Sequence, residues 1–355
     1  MCVALVVVLI AASALLRHFT GPDYIEKRLT RQIGPGYLID IGSSHYNPLT
    51  RSFALANVSI VSDTLRTSRP KHVHPETHMK LDVRAVRATG LGLGALRAGR
   101  MDMNGLVLDR PKLTLYVDRQ GMPVEHERPA VRMPHQVLLD SGRHIHIDTI
   151  RVIDGDVSYS ERARTGVRPG IFRFADLNVN IESVNNDGTQ REHPCVIDVH
   201  TRLADSGPLH AIFKYDLSSP VLRMDYNATI GKMKGTSLND LLMDLNGIRV
   251  SDGTIDATRL DIKVDGDVAA GTMKFLYHGL KFEKVDKDTH DQGVRDHMIS
   301  WMQNWQTHSS NPKDEDEPAT VITLRRTRKP YVSLIKFVWE TMREGMLRTL
   351  GVEGQ

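Results

Sequence analysis

Apolar residues recur at every second position over most of this chain. From Tyr37 to about Lys284 the runs alternate apolar with polar, the period of a strand that buries one face. Phe53 to Val61 is one run, and Met79 to Val86 is another. Met101 to Leu108 and Leu113 to Val117 flank Asp109-Arg110-Pro111, and His144 to Ile150 follows. Then come Phe172-Arg173-Phe174, Leu177 to Ile181, Val196 to Val199, Ala211 to Tyr215 and Leu222 to Tyr226. Leu260 to Val264 and Gly271 to Tyr277 close the series. These runs predict roughly sixteen strands, each with one apolar face to bury. A sandwich or a closed barrel would bury it entirely with protein, whereas a long sheet that curls over without closing would leave an apolar trough; periodicity is the same for all three.

One phrase occurs twice. Ile150-Arg151-Val152-Ile153-Asp154-Gly155-Asp156-Val157 returns as Ile248-Arg249-Val250-Ser251-Asp252-Gly253-Thr254-Ile255, with six of eight positions identical or nearly so. It reads as a strand end, a tight Asp-Gly turn in which Gly supplies the positive φ, and the start of the next strand. Asp109-Arg110-Pro111 reads as a variant with Pro at the bend. Two copies with one lead-in suggest a unit used repeatedly. Just before the second copy, Ser237 is placed to cap a helix with Asp240 at its third position and Leu238, Leu241, Leu242 and Leu245 along one side.

The two ends of the chain differ from this body. Cys2 to Leu16 carries no charge. As a helix it is roughly 22 Å long, against a hydrocarbon core of about 30 Å. It reads either as a transmembrane anchor or as a cleaved signal peptide, and both send the rest of the chain across a membrane. Ile25, Leu29 and Ile33 then mark a short amphipathic helix, stopped by Gly34-Pro35-Gly36. Residues 286–308 place Val294, Met298, Trp301, Met302 and Trp305 at helical spacing, and an acidic linker follows at Pro312 to Pro318. Val321 to Leu324 reads as a strand. The last helix, about Tyr331 to Leu350, has an apolar stripe through Tyr331, Ile335, Val338, Trp339, Met342, Met346 and Leu350. It docks either on the protein's own sheet or on a bilayer, where Ile335, Val338, Trp339 and Met342 are the interface candidates. The segments are therefore 1–19 for the anchor or signal, 20–36 for the amphipathic helix and linker, and 37–285 for the β body. Residues 286–318 form the helical and acidic insert, and 319–355 the final strand and helix.

Composition narrows the classes. Hydrophobic residues make up 40% of the 355 and charged residues 25%, a globular balance. With 46 basic against 43 acidic residues, no basic excess points to a nucleic-acid partner. Cys2 and Cys195 are too few for a disulfide framework. His72, His74 and His78 near Glu76, and His144 with His146, have ligand-like spacing. The first group lies in a polar loop, however, and no His-Glu-x-x-His, Gly-x-Ser-x-Gly or phosphate loop accompanies either. The reading is a non-enzyme without catalytic residues, metal or cofactor.

The order of these features resembles the AsmA-like superfamily of Gram-negative envelope proteins, in its shorter single-anchor members. The anchor and amphipathic helix carry the resemblance, with Val107-Leu108-Asp109-Arg110-Pro111-Lys112-Leu113-Thr114-Leu115-Tyr116-Val117-Asp118 and Gly121. So do the paired phrase, Gly271-Thr272-Met273-Lys274-Phe275-Leu276-Tyr277-His278-Gly279-Leu280, and the basic cluster leading to Phe337-Val338-Trp339. The resemblance implies a mainly β fold: an extended, curled antiparallel sheet forming an open apolar groove (β-taco-like), with an N-terminal membrane helix and a few amphipathic helices. It implies an inner-membrane, single-pass protein whose bulk is periplasmic and which binds or transfers lipid acyl chains in envelope maintenance. The alternative is an assembly scaffold that binds another envelope protein. Partners would be phospholipid or another acyl lipid, the inner membrane and other envelope proteins. Ile150, Val152, Val157, Ile248, Val250 and Ile255 are the candidates for lining the groove. Sixteen strands about 4.8 Å apart would give it a length under about 80 Å.

Overall fold

The computed structural model describes residues 36–62, 76–92, 94–95, 98–119, 130–162, 169–187, 192–239, 248–284, 309–314 and 316–351. The expected membrane helix, the amphipathic helix after it and the helix at 286–308 lie outside these residues. So does most of the predicted helix after Ser237; where it is expected to begin, Gly235–Leu238 is one 3-10 turn. Among the described residues, 65% are in strands.

The strands form one open sheet. They are β1 (Tyr37–Asn47), β2 (Ser52–Ser62), β3 (Glu76–Thr89), β4 (Arg100–Asp118), β5 (His144–Arg162), β6 (Gly170–Asn185) and β7 (Cys195–Leu203). Then follow β8 (Gly207–Tyr215), β9 (Arg223–Ile230), β10 (Met233–Lys234), β11 (Ile248–Asp265), β12 (Val268–Lys284) and β13 (Val321–Thr327). Neighbours in the chain are neighbours in the sheet, except that β10 is a side branch on β11 and β9 pairs β11 directly. Twelve strands side by side span about 50 Å across the sheet. Every pairing is antiparallel but one: β4 and β5 run parallel. Residues 119–143 carry the chain back to the starting end, so the expectation of a wholly antiparallel sheet is corrected there. That crossover contains α1 (Pro134–Leu139), with Met133, His135 and Leu138 buried against the core.

The repeated phrase is not a hairpin. Ile150 to Val157 lies wholly inside β5, and Ile248 to Ile255 wholly inside β11. Both sides of the Asp-Gly pair with the same neighbour: Val152 faces Val179, Gly155 faces Leu177, and Val157 faces Phe174. Asp154 has φ 50° and Gly253 has φ 105°. One residue in the left-handed region adds a unit to the strand and turns the following side chains to the other face. The apolar period of two therefore slips to three. In β4 the inward positions are Met101, Met103, then Leu106, Leu108, then Pro111, Leu113 and Leu115. In β5 they are Ile145, Ile147, then Ile150, Val152, then Gly155 and Val157. In β2 they are Phe53, Leu55, then Val58 and Ile60.

The slips are aligned across strands. Arg110, Asp154 and Asp176, with φ of 50°, 50° and 52°, stand at one level of β4, β5 and β6. Asn57 of β2, φ 53°, joins that level through Arg84 of β3. Because β4 and β5 slip together, their register is the same from Arg100↔His144 to Asp118↔Arg162. Between β5 and β6 the shift before Gly155 is undone after it. The outer face of this level carries cross-strand ion pairs, Arg84–Asp109 at 2.7 Å, Arg110–Asp154 at 4.0 Å and Arg202–Asp176. In β11 the matching slip brings Gly253 so close to β12 that a Cβ there would sit 2.5 Å from the Gly279 carbonyl oxygen. Several predicted pairs of short strands are thus single long ones, and this accounts for 13 strands instead of sixteen.

One apolar cluster runs from Ile41 of β1 to Leu324 of β13 on the inner face. Its α1 end is closed by His135, whose Nδ1 lies 2.7 Å from the Tyr215 hydroxyl. Burial holds the His135 imidazole below its ordinary pKa; the Pro220 carbonyl opposes this, the Arg328 charge adds to it and Asp216 opposes it.

Two predictions follow from these features. Asp154→Gly is neutral or stabilising by up to about 1 kcal/mol, because it removes the cost of a side chain in the left-handed region. Asp154→Val is destabilising by about 1–3 kcal/mol. A regular strand gives the reverse order, so urea denaturation of the two variants decides between a slip and a plain strand. For His135, the unfolded chain binds a proton between the ordinary pKa of 6.5 and the lower folded value while the folded chain does not. Stability is therefore lost as pH falls below 6.5, and His135→Asn flattens that part of a Tm-against-pH curve.

Candidate functional site

The inner face carries one continuous apolar cluster, and the final helix is seated on it. The chain leaves β13, Arg328 binds Asp267 at 2.7 Å, and Ser333 caps α2 (Leu334–Thr349) by accepting from the Lys336 amide. Phe337, Thr341, Met342, Gly345, Met346 and Thr349 recur at helical spacing and are all buried. The hydroxyls in that stripe are satisfied within the helix: Thr341 donates to the Phe337 carbonyl and Thr349 to the Gly345 carbonyl, each at 2.8 Å. Gly345 lets the helix backbone approach β12 and β13; a Cβ there would collide with the Met273 sulfur and lie 3.2 Å from Leu324.

The same helix also touches β5 and β6, distant from β12 and β13 in strand order. The Trp339 ring packs edge-on against Phe172 of β6, with centroids 4.5 Å apart. Lys336 bonds Glu161 of β5 at 3.3 Å. Glu161 also accepts from Arg119 and Tyr159. Burial raises the Glu161 pKa, but Lys336, Arg119 and the Tyr159 hydroxyl together outweigh it and hold the carboxyl below its usual range. From β13 Arg326 clamps Glu340 at 2.7 Å and Glu344 at 2.9 Å. Partly exposed ion pairs contribute about 0–1 kcal/mol each, whereas a buried Phe or Met contributes about 1.5–3 kcal/mol. The apolar stripe therefore sets the docking, and the charges set its direction.

Five of the six groove candidates can be placed. Ile150, Val250 and Ile255 are buried in the common cluster, and Val152 packs on it half-buried. Val157 is half-buried, and the side chain of Ile248 lies outside the described residues. Of the four membrane-interface candidates, Met342 is buried and Val338 and Trp339 pack against the sheet. Only Ile335 stands free, at 75% exposed. Val338 and Trp339 are half-buried and keep part of their surface open beside the sheet.

Of the two histidine groups singled out by spacing, one lies largely outside the described residues and the other is divided between two carboxylates. His72 and His74 lie outside the described residues, and His78 stacks on Tyr116. His144 faces Asp102 at 3.7 Å and His146 faces Asp148 at 2.9 Å, one histidine to one carboxylate. A different cluster does form. Asp198 and His200 share the outer face of β7, and His210 of β8 is the direct partner of His200. The two histidines line a cleft of about 740 Å³ together with Arg202, Thr229, Arg259 and Lys274. The sequence carried a signal for this pair. His200 and His210 are equidistant from Asp205, in the polar turn between two alternating runs, and a hairpin there must put them side by side.

Comparison with protein-family models and with curated proteins gives no match. Among the described residues, no helix is long and apolar enough to cross a membrane.

The seat of α2 is open to test. Gly345→Leu lowers stability by about 1–3 kcal/mol in urea denaturation, through overpacking against Met273 and Leu324. Ile335→Ser, at the free end of the stripe, changes it by no more than about 0.5 kcal/mol.

Proposed function

We propose that the protein is a membrane-tethered, periplasmic β-groove of the AsmA-like kind, which holds or passes lipid acyl chains in envelope maintenance. The observation that supports this most is the open sheet whose single apolar face continues through every strand from β1 to β13. Acyl chains are recognised by continuous apolar surface, not by placed polar groups. Aligned slips keep that face apolar along strands of up to 19 residues, longer than a packed sandwich strand needs. The tether rests on the uncharged segment at the N-terminus and on the resemblance. The phospholipid partner rests on the apolar face and on the resemblance.

A second reading, a scaffold that binds another envelope protein, is favoured by one observation. α2 shows that a protein helix fits this face, with Phe337 and Met346 buried on it.

The two readings separate by photo-crosslinking in cells with the full chain. A benzophenone amino acid at Leu115 or Phe282, half-buried on the inner face, is expected to give phospholipid adducts identifiable by mass spectrometry. The same probe at the outward Thr114 gives none. Protein adducts at Leu115 and Phe282 without lipid would overturn the lipid reading in favour of the scaffold.

A further inference from the structure

We infer that Asp198, His200 and His210 form a binding site for a divalent transition-metal ion of the zinc type, on the outer face of β7 and β8. The site is independent of the apolar inner face and of the reading built on it.

The argument begins with the backbone. His200 and His210 are directly paired across two strands that are themselves flanked by β6 and β9, so neither Cα is free to move away. Asp198 lies two residues before His200 and so on the same face. The imidazole rings stack with centroids 4.1 Å apart and planes 11° from parallel. Both Nε2 atoms converge on one oxygen: Asp198 Oδ1 is 2.9 Å from His210 and 3.2 Å from His200. All three ligand atoms lie within 4.8 Å of one another. It is the one such group of three among the described residues.

Each Nε2–H can donate to the one Asp198 oxygen. A divalent cation takes the place of those two protons, each ring moving its proton to Nδ1, and joins three ligands that already converge, at about 2.0–2.2 Å from each. Two imidazoles and one carboxylate suit zinc, and by the same donor chemistry nickel or copper, over magnesium or calcium. Three protein ligands leave a fourth position for water or an anion on the cleft side. Nearby positive charge is partly offset, because Arg202 is paired with Asp176. His144 and His146 supply the contrast within the same molecule: each has its own aspartate and no second imidazole.

The test uses the full chain, purified without a histidine tag, stripped with chelator and titrated with Zn²⁺ by calorimetry. One saturable equivalent is expected. His200→Gln and His210→Gln should each weaken binding at least about tenfold, since loss of outer-shell partners alone costs about 10–100-fold. His144→Gln with His146→Gln should leave the titration unchanged. Co²⁺ in place of zinc should give the intense visible bands of a four-coordinate ion in the wild type, lost in the His200 and His210 variants. Apo melting temperatures within a degree of wild type show that the glutamine variants are folded. Absence of saturable binding, or binding that survives both His200→Gln and His210→Gln, overturns the site.

Discussion

The structure depends on keeping one face of very long strands turned inward. A strand's side chains alternate, but its twist accumulates, so a regular strand of 19 residues does not hold one face against a single interior from end to end. The slip of the apolar period from two to three resolves this. At the slips of Asn57, Arg110 and Asp154 one residue takes a conformation that regular strands avoid, and the following side chains return to the core. The cost of about 1–2 kcal/mol per left-handed residue is small beside the burial of the apolar positions that follow. Alignment of the slips matters as much as their presence. A slip in one strand alone would break the ladder with both neighbours, whereas Arg110 and Asp154 slip together and the parallel register of β4 and β5 is unbroken.

This also explains what was legible in the sequence. Period-two runs are sufficient for a mainly β body, because they report side-chain alternation directly. The Asp-Gly phrase misled because a hairpin and a slip need the same thing, a residue that tolerates positive φ. Local chemistry does not distinguish them. What does is the spacing of apolar positions across the phrase: Val152, Gly155 and Val157 stay in phase with one face after a step of three, with no second polar residue pair to reverse the chain. Asp109-Arg110-Pro111 shows the same step with no glycine at all, so the φ-positive residue there is Arg110. The parallel β4–β5 pairing was not legible, because it depends on where a 25-residue crossover returns.

The candidate sites were unequally legible for a related reason. Inner-face residues such as Ile150, Val250 and Ile255 announce themselves by periodicity. A cross-strand pair does not, since His200 and His210 are ten residues apart and meet only once the hairpin register is fixed. Conversely, His144 and His146 are near in sequence and on one face, yet each is matched by a separate aspartate of its own neighbourhood. Closeness along the chain is a weaker guide to shared chemistry in a sheet than symmetry about a turn.

The position of α2 constrains how the apolar face can be used. The helix is held by two parts of the sheet, by Leu324 and Met273 in one and by Phe172 and Glu161 in the other. An acyl chain arriving from a bilayer gains little by exchanging one apolar environment for another, because the term of about 0.8 kcal/mol per methylene applies to removal from water. It therefore brings no surplus with which to lift a docked helix. Any chain on this face must lie beside α2, along the strands it leaves uncovered, or α2 must find an apolar seat of its own when it leaves. The free end at Ile335 is where that exchange would start, since it is the one stripe position that the sheet does not already hold.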